Sequence, residues 1–118
     1  MTGFLPVCRV GDIAPNSAKR YIVDGTAMAI VRAGDGVFAI NDRCSHADVS
    51  LAEGEVDGCA IECWLHGSAF DLRTGTPLSL PAIEPVPIYS VRVLGDGDDA
   101  LIEVDPSPIP AIAVAPGQ

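Results

Sequence analysis

The chain has 118 residues, and its seven basic and sixteen acidic residues give a formal charge of −9. This length suits one domain with a modest core. The negative charge disfavours binding to nucleic acid and to anionic membrane surfaces, and it complements a partner with a basic docking face.

Short runs rich in Val and Ile, separated by turn-forming sequences, predict an all-β fold. The turn signals are Asp24-Gly25, 34–36, Asp57-Gly58 and 95–97. The predicted strands are Arg20–Val23, Thr26–Arg32, Val37–Ile40, Cys59–Cys63, Ser68–Asp71, Ile88–Val93 and Ala100–Val104. The apolar period of a helix is not sustained anywhere, so Ala14–Lys19 and Val49–Glu53 could each hold only a turn.

Prolines mark two segments that cannot be central strands. Thr76–Pro87 carries four of them, which predicts a stiff loop. From Asp105 onward prolines alternate with apolar residues, which is more typical of a strap or a frayed tail than of a packed element. We therefore predict one domain over residues 1–105 and a proline-rich C-terminal tail over residues 106–118.

The sequence lacks both a membrane-spanning apolar stretch and the pattern of a secretory signal, so we expect a cytoplasmic protein. In that reducing compartment the four cysteines are expected to be metal ligands or buried thiols. Cys59 and Cys63 would lie about 13 Å apart on an extended strand, too far for a disulfide. We expect Cys8 and Cys59 to be core residues.

Both histidines of the chain stand beside a cysteine. Cys44 and His46 form a Cys-x-His motif, and after a sixteen-residue spacer Cys63 and His66 form a Cys-x2-His motif. The spacer contains the hairpin signal Asp57-Gly58, which would bring its two ends together. The sequence therefore predicts two loops that meet at one point, each offering one thiolate and one imidazole.

Three interpretations of these four residues compete. In the first, the cysteines fill the core and the histidines lie in loops with their hydrogen bonds satisfied. This interpretation would require four coincidences. A structural zinc site usually has wider spacing, with two to four residues between paired cysteines and three to five between paired histidines. A [2Fe-2S] cluster with two cysteines on one iron and two histidines on the other fits the mixed pairs, because ligands one residue apart can then point at different irons.

The two motifs and their spacer resemble the Rieske family. The resemblance covers roughly residues 4 to 104 and extends through 70–75 and 78–81, which are similar to segments of the Rieske ferredoxins of multicomponent oxygenases. It implies small antiparallel sheets with a two-loop cluster-binding subdomain and one [2Fe-2S] cluster per chain. By the same resemblance Cys44 and Cys63 would hold the inner iron, and His46 and His66 would hold the outer iron.

Several positions indicate the subtype within that family. Val49 and Leu65 stand where respiratory Rieske proteins carry a disulfide, so that subtype is disfavoured. High-potential members have a serine and a tyrosine whose hydroxyl groups donate hydrogen bonds to the cluster. This chain has the serine, Ser68, but Phe70 stands in place of the tyrosine. One donor fewer predicts a reduction potential in the lower part of the roughly −150 to +300 mV Rieske span. Trp64 would shield the cluster, which we favour, or present an aromatic edge to a partner.

The pattern favours an electron carrier and not an enzyme. An oxygenase of the related kind needs a second iron with two further histidines, and the chain has none left. A dinucleotide-binding motif is also missing. We therefore expect a one-electron carrier that links a flavin-dependent ferredoxin reductase to a terminal oxygenase, the latter expected to hydroxylate aromatic rings. The alternatives are an accessory Rieske subunit of a complex such as nitrite reductase, a ferredoxin of iron-sulfur cluster assembly, and a zinc-stabilised binding module.

Overall fold

A computed structural model of the chain describes residues 3–34, 36–43, 50–64, 69–78 and 86–109. These residues form ten β-strands in three antiparallel sheets, and they include no α-helix. The prediction of an all-β fold is confirmed. Among the same residues no helix is long and apolar enough to span a bilayer.

The strands fall into a middle, an outer and a ligand-side sheet, with strand orders β2-β3-β4-β8, β1-β10-β9 and β5-β6-β7 respectively. Short 3₁₀ turns lie at Val10–Asp12, Leu51–Glu53 and Gly97–Asp99. In chain order the strands are β1 Leu5–Arg9, β2 Ser17–Val23, β3 Thr26–Ala33, β4 Gly36–Asn41, β5 Glu55–Asp57, β6 Ala60–Glu62, β7 Ala69–Asp71, β8 Ile88–Tyr89, β9 Val91–Leu94 and β10 Leu101–Val104.

The middle sheet is buried on both faces, and β3 shows why. Successive side chains of a strand point to opposite faces, and here both sets are apolar. Ala29 and Val31 pack into a cluster with the ligand-side sheet, whereas Met28 and Ile30 pack into a second cluster with the outer sheet. All four are fully buried. The predicted first ligand loop follows β4 of this buried sheet, and the ligand-side sheet that flanks the predicted second loop packs against it.

Two predicted elements differ from the structure. The run Ile88–Val93 is not one strand, because β8 pairs with β4 in the middle sheet and β9 pairs with β10 in the outer sheet. The backbone carbonyl of Ser90, between them, accepts a hydrogen bond from the N–H of Asp105. The strand predicted at Arg20–Val23 begins three residues earlier, at Ser17. Ala14–Lys19 therefore holds only a short turn, at Pro15 and Asn16, as expected.

Strand β5 is absent from the prediction. Glu55–Asp57 has acidic residues at both ends and little β propensity of its own. It becomes a strand through pairing with β6, in which Val56 lies opposite Ile61. The turn between these strands is the predicted Asp57-Gly58 hairpin, and Gly58 has a φ of 62°. That hairpin is confirmed.

The start of the proline-rich segment lies against the middle sheet. The N–H of Ile109 donates to the carbonyl of Ile88 at 2.8 Å, and the two residues form an antiparallel bridge. Residues 110–118 lie outside the described residues. The boundary between residues 105 and 106 stays a prediction.

Candidate metal centre

Of the four predicted ligands, Cys63 lies among the described residues, whereas Cys44, His46 and His66 lie outside them. Cys63 follows β6 directly and is 1% exposed. It packs in the apolar cluster between the middle and ligand-side sheets. The described ranges hold no group of three or more His, Cys, Asp or Glu residues that could bind a metal, and they contain only one of the predicted ligands.

The predicted first ligand loop, residues 44–49, is flanked by paired backbone at residues 42–43 and 50–51. We call these paired ends the first neck, and the paired ends of the second loop the second neck. Arg43 and Ser50 form an antiparallel bridge, and the N–H of Leu51 donates to the carbonyl of Asp42 at 2.6 Å. Asp42 is 4% exposed, and its N–H donates a hydrogen bond to the carbonyl of Ala27 in β3. The two ends of the segment that contains Cys44 and His46 are therefore held side by side.

The predicted second ligand loop, which follows Cys63, is flanked by the β6-β7 hairpin. Glu62 pairs with Ala69, and Ile61 pairs with Phe70. Phe70 is fully buried and occupies the position where the resemblance would place a tyrosine. The described residues do not include Leu65, Gly67 and Ser68 of this loop, or Val49 of the first loop.

The necks of the two ligand loops are in contact. Gly54, four residues after Ser50, lies so close to the carbonyl of Glu62 that a Cβ atom on it would collide with that oxygen. Leu51 and Ile61 are fully buried in the same apolar cluster as Cys63. The structure therefore brings the described ends of both loops together, as the hairpin signal in the spacer predicts.

A third segment starts and ends beside the second neck. The N–H of Leu78 donates to the carbonyl of Ala69 at 2.7 Å, and the N–H of Val86 donates to the carbonyl of Gly75 at 3.0 Å. Gly75 has a φ of 79°, and a Cβ atom there would collide with the carbonyl of Val86, so glycine fits this position best. Pro81, in the segment between Leu78 and Val86, lies outside the described residues.

Trp64 is 52% exposed and Leu78 is 56% exposed. Glu62, two residues before Trp64, pairs with Ala69, and Leu78 donates its N–H to the carbonyl of Ala69. This exposure supports the interpretation that Trp64 presents an aromatic edge to a partner. The shielding role that the sequence favours stays a prediction.

The remaining cysteines differ in their environments. Cys8 is buried in the cluster beneath the outer sheet, as predicted, and that burial raises the pKa of its thiol. A hydrogen bond with Tyr21 opposes the rise in the pKa of Cys8. Cys59 lies half-buried in the turn between β5 and β6, so its assignment to the core is wrong. Neither residue extends the predicted ligand set.

Asp42 is the residue at this site that the sequence analysis misses. Its Oδ1 atom accepts hydrogen bonds from Ser50 Oγ and from the N–H of Ala52, both at 2.9 Å. Its Oδ2 atom lies 3.2 Å from Arg20 Nε. The available signal was an acidic residue between an apolar strand and a cysteine-containing motif, but its burial follows from contacts that are distant in sequence.

Comparisons of the sequence and of the structure with known proteins point to the same family. The sequence profile of the Rieske [2Fe-2S] domain matches residues 3–90. Ferredoxin CarAc of Metapseudomonas resinovorans is 41% identical over 91 residues, which cover 76% of this chain and 85% of the relative.

Solved structures agree with the sequence match. The ferredoxin of carbazole 1,9a-dioxygenase from Nocardioides aromaticivorans IC177 superposes with a TM-score of 0.79 at 39% identity, covering 88% of this chain and 98% of that one. A chain from the complex of reduced oxygenase and oxidised ferredoxin in carbazole 1,9a-dioxygenase superposes with a TM-score of 0.73 at 34% identity, covering 86% of this chain and 92% of that one.

The contact between the necks predicts the effect of Gly54→Ala. The added methyl group meets the carbonyl of Glu62, a backbone group that cannot rotate away, so we expect a loss of about 1–3 kcal/mol in the free energy of unfolding. The fraction of purified chains that carry iron should fall with it. Melting temperature and iron content measure the two effects.

Gly3→Ala is the matched control, because a Cβ atom there meets no other atom within 4 Å. Its melting temperature should equal that of the unaltered protein. Equal melting temperatures and iron contents for both variants would show that the necks do not pack as described.

Proposed function

The chain belongs to the Rieske [2Fe-2S] domain family, and from this premise we propose which residues hold its cluster and which proteins exchange electrons with it. It carries one [2Fe-2S] cluster and is an electron-transfer ferredoxin of the type found in ring-hydroxylating dioxygenase systems. It is not itself the catalyst of such a system.

In our proposal Cys44 and Cys63 bind the inner iron, and His46 and His66 bind the outer iron. The burial of Cys63 beside the necks of both loops is the observation that supports this most directly. Two thiolates and two imidazoles are the donors that such a cluster requires, so the residues present fit the group. When bound, the cluster accepts and releases one electron.

The protein around Cys63 suits the thiolate end of the site. Its sulfur lies within an apolar cluster that includes the fully buried Ile61, Leu51 and Phe70, so water is excluded from this side. Phe70 carries no hydroxyl group that could donate a hydrogen bond to the site. We therefore propose a reduction potential in the lower part of the Rieske span.

A docking face for redox partners adjoins the second neck. We define this face as Trp64, Leu78, Glu55 and Glu62, all of them exposed. Glu55 and Glu62 lie directly opposite each other in the β5-β6 pair, where like charges repel. A partner with basic residues around an apolar pocket would relieve this repulsion and cover the two apolar side chains.

The proposed partners are a terminal oxygenase, as the electron acceptor, and a flavin-dependent ferredoxin reductase, as the donor. The relative solved together with an oxygenase supports the first partner, and the net charge of −9 suits rapid, salt-sensitive docking to both. The proposal places the protein in the cytoplasm, where its cysteines remain reduced. Residues 1–105 would carry this function, and residues 106–118 would form an appended tail.

The alternative functions are not favoured. The curated relative and the two solved structures at 34–41% identity are ferredoxins, two of them from dioxygenase systems. No described feature points to a nitrite reductase subunit or to iron-sulfur cluster assembly. Family membership likewise supports the cluster over the zinc and core-filling interpretations of the four Cys and His residues.

The ligand assignment predicts the effect of His66→Cys. A thiolate donates more electron density and more negative charge than an imidazole, so the reduction potential should fall toward the roughly −400 mV of all-cysteine clusters. Spectroelectrochemical titration measures this potential. Cys59→Ser, at the other end of β6 from Cys63 and outside the ligand set, should keep the potential of the unaltered protein. An unchanged potential in a cluster-containing His66→Cys variant would contradict the assignment.

The docking face predicts a second result. Trp64→Ala and Leu78→Ala should each slow the second-order transfer of electrons to a terminal oxygenase about tenfold, the expected cost of truncating an anchor of the interface. The reduction potential should stay constant, which separates docking from the properties of the cluster. Stopped-flow kinetics measure the rate at several salt concentrations.

Leu94→Ala is the control for this experiment, because Leu94 is 44% exposed on β9 of the outer sheet. Its rate should match that of the unaltered protein. Equal slowing by Leu94→Ala and Trp64→Ala would contradict the location of the docking face.

A further inference from the structure

The buried carboxylate of Asp42 lies at the neck of the first ligand loop. It is the buried charged residue found among the described positions, at 4% exposure. Burying a charge is costly unless it is paired and hydrogen-bonded. Its partners are Ser50 Oγ, the N–H of Ala52 and Arg20 Nε.

These contacts join parts of the chain that are distant in sequence. Arg20 belongs to the edge strand β2 of the middle sheet, Asp42 stands at the entrance to residues 44–49, and Ser50 stands at their exit. One carboxylate therefore ties the two ends of the loop to each other and to the sheet. Cys44 is two residues from Asp42, so their Cα atoms are at most about 7 Å apart.

The described parts of the two necks show different kinds of backbone pairing. The second neck has a ladder of three residue pairs between β6 and β7. In the first neck, the described residues show the bridge between Arg43 and Ser50 and the bond from the N–H of Leu51 to the carbonyl of Asp42. The side-chain bonds of Asp42 add to this backbone pairing at the first neck.

We propose that Asp42 is a positioning residue for the cluster: it closes the neck of the first ligand loop, and its charge, offset by Arg20, sets the reduction potential. This inference rests on the proposed function, because the loop that Asp42 closes carries Cys44 and His46. Reduction adds one negative charge to the cluster. The carboxylate opposes that charge and the guanidinium favours it.

The positioning role predicts faster loss of the cluster when the carboxylate is removed. Asp42→Ala should release iron to a chelator about tenfold faster than the unaltered protein, in line with the effect of losing a residue that orients metal ligands. Asp42→Asn keeps an oxygen for Ser50 and Ala52, so it should restore much of the slow release. Ser50→Ala removes one of these bonds and should give an intermediate rate.

The charge of Asp42 predicts a change in the reduction potential, which a merely structural role would not cause. Asp42→Asn should raise the reduction potential, and Arg20→Gln should lower it by less, because the Arg20 side chain is 55% exposed and screened by water. Amide hydrogen exchange at Ala52 should accelerate in Asp42→Ala, since its N–H donor loses its acceptor. This exchange reports on the neck whether or not a cluster is bound.

Glu103 and Arg92 provide the matched control, because they form a carboxylate-guanidinium pair in the outer sheet. Glu103→Ala and Arg92→Gln should leave the iron-release rate within twofold of the unaltered protein and should leave its potential unchanged.

Two results would overturn the inference. One is iron release and Ala52 exchange in Asp42→Ala and Ser50→Ala that match those of Glu103→Ala. The other is a shift of the potential in the same direction for Asp42→Asn and Arg20→Gln. Unaltered protein that binds no [2Fe-2S] cluster would instead overturn the proposed function, and the accelerated exchange at Ala52 would then still show that Asp42 holds the neck.

Discussion

The close approach of Gly54 to the carbonyl of Glu62 is the constraint on which the site depends. It joins the exit of one predicted ligand loop to the entrance of the other, although their motifs are separated by sixteen residues. Leu51 and Ile61, which are buried together in one apolar cluster, stabilise this contact between the two necks. Because protein interiors are close-packed, neither neck can shift without disturbing the other. Two short cysteine-histidine motifs can therefore act as one binding site.

The site is polarised between an apolar interior and an acidic surface. Cys63 is held in the core, whereas Trp64, the next residue, is 52% exposed and lies beside the acidic pair of β5 and β6. The sequence changes from core to surface within one residue, so a redox partner can approach the site without opening the fold. Asp42 adds a buried charge at the neck of the other loop, and Arg20 connects that charge to the edge of the middle sheet. We therefore propose that stability, reduction potential and docking depend on different residues of one small region.

Local signals carried most of what the sequence could predict. Asp24-Gly25 and Asp57-Gly58 form turns because their residues adopt positive φ readily, and β3 follows from its own branched and apolar residues. The cluster was predictable because cysteine and histidine spacing reflects the chemistry of the metal. Features set by distant contacts were not predictable. The break at Ser90 depends on pairing with two sheets, the short strand β5 depends on β6, and the burial of Asp42 depends on a residue of β2.

The central claim is that two irons are held asymmetrically, by thiolates at one end and by imidazoles at the other. Mössbauer spectroscopy of protein grown on ⁵⁷Fe, combined with analysis of acid-labile sulfide, tests this most directly. The account predicts two inequivalent iron sites in equal amounts and two sulfides per chain. A single metal ion, an absence of sulfide, or two equivalent irons in an all-thiolate environment would contradict it.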